Sequence, residues 1–223
     1  MVLGEKKHTR TLFFVIDTTY SMANGINAIN YAFDRSISIV RAIQEKHPDL
    51  LFKIAVLEFS EEAEWQMAIP AVVDHYEWRN LDVYGVRADF AKVCKELNEK
   101  LSDDVFMGNC DDSSIILVVD SPLDGNYNEE LEKLTGEPRF KQAIKKTIVY
   151  DEDLNNTDFN ALEKFTGEKV NAAPRKSKEL CKQILEAVTE AALFGLDVDK
   201  DFIQQLLNKE KEECGYKCAV KLW

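Results

Sequence analysis

Thr11-Leu12-Phe13-Phe14-Val15-Ile16-Asp17-Thr18-Thr19-Tyr20-Ser21-Met22 is the stretch that decides the fold. Residues 12–16 are apolar without interruption, so neither face of this strand can meet water, and strands buried on both faces belong to mainly parallel sheets covered by helices. A helical pattern follows at once: Ile26, Ile29, Phe33, Ile37, Val40 and Ile43 recur every three or four residues up to His47-Pro48, where the residue before proline disfavours helix. Short apolar runs then alternate with long amphipathic ones along the chain, which is the pattern of successive βαβ units. Residues 52–59 and 67–73 read as an antiparallel edge pair, and Val86, Phe90, Val93, Cys94, Leu97 and Leu101 mark a second helix. Residues 115–119 form the most apolar strand and are expected at the sheet centre. Helices around residues 129–135 and Phe140, a strand over 144–150, a short helix near 158–165 and a long one carrying Leu180, Ile184, Val188 and Ala191 complete the pattern. One boundary is expected near Gly195, dividing an α/β domain over residues 8–194 from a helical extension over 195–223 that carries Val198, Phe202, Ile203, Leu206 and Leu207 on one stripe.

Composition bounds the function. The chain has 223 residues, 28 basic and 40 acidic side chains and a formal net charge of −12, enough length for one domain with a real core and a sign that repels phosphate backbones and anionic lipid. Neither nucleic acid nor a membrane is therefore expected as a partner. The longest apolar runs are five residues, far below the roughly 20 needed to span a bilayer, and Gly4-Glu5-Lys6-Lys7 breaks any signal-like core at the start. These features make a cytoplasmic location the expectation. Five cysteines (Cys94, Cys110, Cys181, Cys214 and Cys218) are odd in number and scattered, poor material for a disulfide framework. Cys214 and Cys218 provide only two of the roughly four ligands a structural zinc site needs.

In parallel sheets ligands sit beyond the carboxyl ends of the strands. Both strongly apolar strands end in aspartate: Asp17, followed by Thr19 and Ser21, and Asp120, followed by Ser121-Pro122-Leu123-Asp124. Asp17, Thr19 and Ser21 alternate, so one loop can aim a carboxylate and two hydroxyls at a common point. Such oxygen donors suit a hard cation, Mg²⁺ above all. The same residues equally suit an Asx turn and a helix cap. Asp103-Asp104, Asp111-Asp112 and residues 151–153 lack the spacing and turn glycine of a calcium loop, and read as solvated surface. His8, His47 and His75 are isolated, and Trp65 and Trp78 read as packing residues. No Gly-rich dinucleotide turn, P-loop or Gly-x-Ser-x-Gly elbow occurs, and Asp17-Thr18-Thr19 lacks the second acid of a phosphatase Asp-x-Asp. A non-catalytic protein is expected; the alternative enzyme is a metal-dependent phosphate-ester hydrolase using Asp17 and Asp120.

Residues 13–22 resemble the opening of a von Willebrand factor A (vWA) domain, whose first strand ends in Asp-x-Ser/Thr-x-Ser. Three more segments resemble the same family in order: Ala55-Val56-Leu57-Glu58-Phe59-Ser60 with Ala63 and Trp65, Ile116-Leu117-Val118-Val119-Asp120, and Phe140 to Tyr150 followed by Leu162-Glu163-Lys164-Phe165-Thr166-Gly167. The last is similar to the bacterial tellurium-resistance TerY-like branch. The resemblance implies a Rossmann-like, doubly wound α/β fold with a metal-ion-dependent adhesion site. It implies that Asp17, Thr19, Ser21 and Asp120 hold Mg²⁺, with Mn²⁺ or Ca²⁺ as substitutes, and that an acidic side chain of a partner protein completes the coordination. The setting implied is a bacterial stress or tellurium-resistance system.

One expected ligand is missing. The family's second loop supplies a threonine, but aligned on Gly85 that position is Arg87, and no Ser or Thr occurs from Met67 to Leu101. The cation would then be held weakly or not at all, or the Arg87 guanidinium would pair with Asp17 or Asp120 and replace it in a metal-free scaffold.

Overall fold

A computed structural model describes residues 7–120, 122–150, 156–170, 172, 175–197 and 200–217, the side chains of 156, 157, 200 and 211–217 excepted. In chain order the elements are β1 (His8–Asp17), α1 (Ile26–Lys46), β2 (Leu50–Phe59), β3 (Ala63–Trp65), β4 (Ala71–Val72), β5 (Ala88–Asp89), α2 (Phe90–Ser102), α3 (Asp104–Met107), β6 (Asp112–Val119), β7 (Leu123–Asp124), α4 (Tyr127–Gly136), α5 (Pro138–Gln142), β8 (Ile144–Val149), α6 (Asn156–Thr166), α7 (Ser177–Leu193) and α8 (Lys200–Lys217). The main sheet runs β3-β2-β1-β6-β8, with β4 paired to β2 and β5-β7 a separate two-stranded ribbon. β1 is parallel to β2 and β6, and β6 to β8, while β3 and β4 run antiparallel on β2. This is the mainly parallel, helix-flanked α/β sheet expected. The centre is β1, however, and β6 lies one strand out. An apolar run marks burial on both faces, a condition that any interior strand satisfies, so it does not rank one interior strand above another.

Alternation along β1 divides the core in two. Leu12, Phe14 and Ile16 face α1, α7 and α8, whereas Phe13 and Val15 face the layer built from α2 to α6. All five are fully buried. Phe33 of α1 stacks between Phe14 and Trp78, with ring centroids 4.5 and 5.1 Å away. Trp65 packs edge-on against Phe13 and Phe106 on the other face. Both tryptophans are thus packing residues, their indole N–H groups satisfied by Asn30 and Glu96. α8 lays Ile203 and Leu207 into the α1–α7 side of the core.

Several polar residues read as solvated surface have structural work. Asp103 accepts from the Val105 N–H and caps α3, Asp104 pairs with Arg139, and Asp111 accepts from the Thr9 N–H. Asp112 binds His8 and the buried Arg10, whose other arm donates to the Ala192 carbonyl at the end of α7. Cys94 and Cys110 are free, and burial pushes the Cys94 thiol up. Cys181 on α7 is disulfide-bonded, which the odd, scattered cysteines did not suggest. The Cys214 and Cys218 side chains, Val198 and residues 151–153 lie outside the described residues.

Two stability outcomes follow from this packing. Phe33→Ala removes a fully buried ring from between Phe14 and Trp78 and should cost about 3–5 kcal/mol in urea unfolding. Gly25 precedes α1 with an ordinary φ of −101°, but an added Cβ would lie 2.9 Å from Tyr150 Cε1 and 3.0 Å from Leu180 Cδ2. Tyr150 is itself buried, so overpacking outweighs the gain in helix propensity, and Gly25→Ala should lower stability by about 1 kcal/mol in the same measurement.

Candidate metal centre

The order β2-β1-β6 means that the chain leaves β1 toward one side of the sheet and later returns on the other. A crevice must open above the carboxyl ends of β1 and β6, where the connections diverge. Ile16 pairs with Val118, so Asp17 and Asp120 leave adjoining strands within one residue of the same level. Both are sequestered, at 0% and 1% relative exposure.

The four sequence-derived candidates stand in one line of close oxygen contacts, with the proton of each hydroxyl directed to a carboxylate. Asp17 Oδ1 accepts from the Thr19 N–H at 2.9 Å and from Thr19 Oγ1 at 2.7 Å. Thr19 Oγ1 lies 2.8 Å from Ser21 Oγ, and Ser21 Oγ donates to Asp120 Oδ1 at 2.7 Å. The other oxygen of Asp17 faces the Asp120 N–H at 3.5 Å. The Asx turn and the oxygen cluster, posed as alternatives for Asp17, are therefore both present. The turn at Thr19 is what swings its hydroxyl back toward the carboxylate, and the helical turn over Tyr20–Asn24 carries Ser21 across to Asp120. Thr18, between them, is pinned to the end of β2 through its N–H and Oγ1, both donating to the Phe59 carbonyl.

The donor set fits a hard divalent cation. Two carboxylates side by side supply two negative charges, the hydroxyls supply neutral oxygens, and sulfur and imidazole are absent from the four. Among the described residues no three His, Cys, Asp or Glu side chains gather at one point, so an ion here would depend on the hydroxyls as much as on the acids.

The second loop is where this centre differs from expectation. Arg87 makes no ion pair with Asp17 or Asp120. It is exposed and borders a separate cleft of about 240 Å³ with Glu61, Glu62, Asp89, Lys92, Asp124 and Gly125. The substitute counter-charge foreseen at Arg87 is therefore not placed at the two aspartates. The loop instead contributes backbone: the Tyr84 N–H donates to the Thr18 carbonyl at 2.7 Å, and the Tyr20 N–H to the Gly85 carbonyl at 3.0 Å. Gly85 has φ +75°, and a Cβ there would fall 2.0 Å from Glu61 Oε2 and 2.7 Å from Ser60, so only glycine fits this approach. Glu61 in turn accepts from the Val86 N–H, the main reason its carboxyl sits below the ordinary range. Burial raises the Tyr84 phenol, against a hydrogen bond with Thr18 that lowers it. The coupling of residues 84 and 85 to residues 18 and 20 was not read from the sequence. Gly85 was its only trace there, and it served to align the loop rather than to predict a contact. Ser121 lies outside the described residues.

No protein-family model matches the chain, and no curated protein matches it. Solved structures do. A von Willebrand factor type A protein from Catenulispora acidiphila superposes with a TM-score of 0.63 at 13% identity, over 83% of this chain and 43% of that one. Proximal thread matrix protein 1 from the mussel byssus, in a structure with a zinc-occupied MIDAS motif, gives 0.56 at 14% identity over 84% and 46%. The ArnB paralog VWA2 from Sulfolobus acidocaldarius gives 0.55 at 18% over 81% and 45%. The chain thus spans less than half the length of each of these proteins. At such identities the likeness speaks for architecture, and with the parallel sheet and its strand order it establishes that this chain has the von Willebrand factor A fold.

Proposed function

We propose that this protein is a non-catalytic interaction module in which Asp17, Thr19, Ser21 and Asp120 hold a divalent cation, Mg²⁺ in the first instance, and bind a partner protein through one of its acidic side chains. The observation that carries this reading is the grouping of four oxygen donors, two sequestered carboxylates and two hydroxyls whose oxygens lie 2.8 Å apart, at the switch point of the sheet. The two carboxylates stand on adjoining strand ends beside two neutral hydroxyls, an oxygen set of the kind that a hard, doubly charged ion takes. When bound, the cation supplies a Lewis-acidic position to which an incoming carboxylate adds. The chain's own residues fix the donors: Thr18 anchors the loop to β2, Asp17 organises the turn at Thr19, and Ser21 spans to Asp120.

The absence of an oxygen ligand at Arg87 supports modest rather than tight affinity, because one coordination position passes to water or to the partner. A mussel-byssus structure whose MIDAS motif holds zinc supports a divalent ion on this fold. The similarity of residues 140–167 to the tellurium-resistance branch supports a bacterial stress-response complex as the setting. Among the described residues no helix is long and apolar enough to cross a membrane.

Calorimetric titration of the protein with MnCl₂ and MgCl₂ tests this directly. Heat should saturate by millimolar metal, and Asp17→Ala or Asp120→Ala should weaken binding roughly tenfold or more with the circular dichroism spectrum unchanged. At a hundredfold excess over the wild-type Kd, Mn²⁺ should add about 2.7 kcal/mol to the stability of the wild type and about 1.4 kcal/mol or less to that of the variants. No heat and no stabilisation at 10-fold higher metal, roughly ten millimolar on the affinity scale expected, would overturn the assignment.

A further inference from the structure

Cys181, near the start of α7, is fully buried and disulfide-bonded. The chain has five cysteines. Cys94 and Cys110 are free, and both belong to the other side of the sheet, with Phe13 and Val15, while Cys181 packs with Leu12, Phe14 and Ile16. The partner of Cys181 is therefore Cys214 or Cys218, so the bond ties α7 to α8 or to the residue just after it.

Helix phase separates the two. Ile203, Leu207 and Glu210 are α8 side chains turned inward, at 6%, 9% and 9% exposure, and their spacing of four and three continues at position 214. Position 218 lies beyond the end of α8 at Lys217. Level along the helices agrees. The Phe202 ring lies 5.3 Å from Lys46 Nζ at the end of α1, while Glu210 Oε2 lies 3.7 Å from Arg35 Nε, nearer the start of α1, so α8 runs antiparallel to α1. The start of α7 stands beside the start of α1, where Ser177 Oγ donates to the Asn24 carbonyl and Leu180 borders Gly25. One more turn of α8 beyond Glu210, about 6 Å, brings position 214 to the level of Cys181.

We infer that Cys181 and Cys214 form a redox clasp that holds α8 against α1 and α7, and that its cleavage releases α8 while the sheet stays folded. The clasp is independent of the cation reading. Without it α8 keeps a small apolar contact through Ile203 and Leu207 and an ion pair with Arg35, and it joins α7 past the turn at Gly195, where φ is +71°. An element with few buried contacts opens ahead of the core, and a disulfide that closes the intervening loop suppresses such open states. On closure the two thiols lose their protons and a sulfur–sulfur bond forms. The two electrons pass to a small-molecule disulfide such as oxidised glutathione, whose own bond breaks to give two thiols; a dithiol reductant reverses the exchange.

The test begins with the full chain, alkylated in guanidinium with and without prior reduction and mapped by mass spectrometry. Without reduction three of the five cysteines should react, the five less the bonded pair, and Cys181 should be recovered linked to Cys214. Hydrogen–deuterium exchange then reads the helices. In Cys214→Ser, and in wild type treated with dithiothreitol, the amides of residues 203–210 should exchange about thirtyfold faster or more, the lower end of what a disulfide contributes. Those of β1 and β6 should keep wild-type protection, and Cys218→Ser should match the wild type throughout. Five reactive thiols before reduction, linkage of Cys181 to Cys218, or unchanged protection of α8 in Cys214→Ser would overturn the clasp. Loss of β1 and β6 protection together with that of α8 would overturn it as well, because the bond would then support the whole fold rather than one helix.

Discussion

The whole architecture hangs on the burial of β1 on both faces. A ten-residue strand with Leu12, Phe14 and Ile16 on one side and Phe13 and Val15 on the other cannot exist at a sheet edge or on a single-layer surface. It requires neighbours on both edges and a helical layer against each face. β2 and β6 meet the first requirement and the two packed clusters meet the second. Placing β1 in the middle with parallel neighbours on either side forces the connections to part above its carboxyl end. The crevice is thus a consequence of the same apolar run that builds the core, and Asp17 is the first residue past it.

Burial explains why the candidate ligands are so well defined, and the second loop explains why the set is incomplete. Asp17 and Asp120 are carried by strand ends whose backbones are hydrogen-bonded on both sides, which is the rigid support that an ion site needs. Residues 84–86 have no such strand. They are held by two backbone hydrogen bonds to the first loop, by the close approach of Gly85 to Ser60 and Glu61, and by the Val86 N–H on Glu61. These contacts fix the loop without turning a side-chain oxygen inward. The coordination role that this position has in the resembling family is given up here, and the loop keeps the role of bracing the first one.

How much of this could be read in advance follows from the range of the interactions. Strands and helices governed by local periodicity were legible: the ends of α1 and β8, the alignment of Asp17 with Asp120, and the body of α2, although Val86, read as its first apolar position, lies exposed in the loop before it. The centrality of β1 over β6 was not, because the degree of apolarity does not rank interior strands and the order is decided by distant pairing. The two-residue strands of the β5-β7 ribbon carry no periodic signal, and their pairing of Ala88 with Leu123 is purely tertiary. Asp103, Asp104, Asp111 and Asp112 looked like solvated acids because a cap, or a pairing with Arg139, Arg10 or His8, joins residues that are mostly far apart in sequence. The alternatives left open for Arg87 are separated by the structure for a related reason. Sequence alignment gives a residue's place on a loop but not the side to which it turns, and Arg87 turns into the cleft it shares with Glu61, Glu62, Asp89 and Asp124, where its charge acts on Glu61.

This separation of roles has a consequence for how such a surface would change. Asp17, Thr19, Ser21 and Asp120 touch one another and stand at strand ends, so altering one disturbs the contacts of its neighbours. Tyr20, Val86 and Arg87 project outward from backbones that are already fixed by main-chain contacts, and their side chains can be exchanged with little effect on the scaffold. The centre is therefore constrained by its own side-chain contacts, whereas the exposed positions beside it are constrained chiefly at the backbone. The net charge of −12 conforms to this division: most of the acids cap, pair or solvate, and the two that stand at the ends of adjoining buried strands are set apart by position rather than by number.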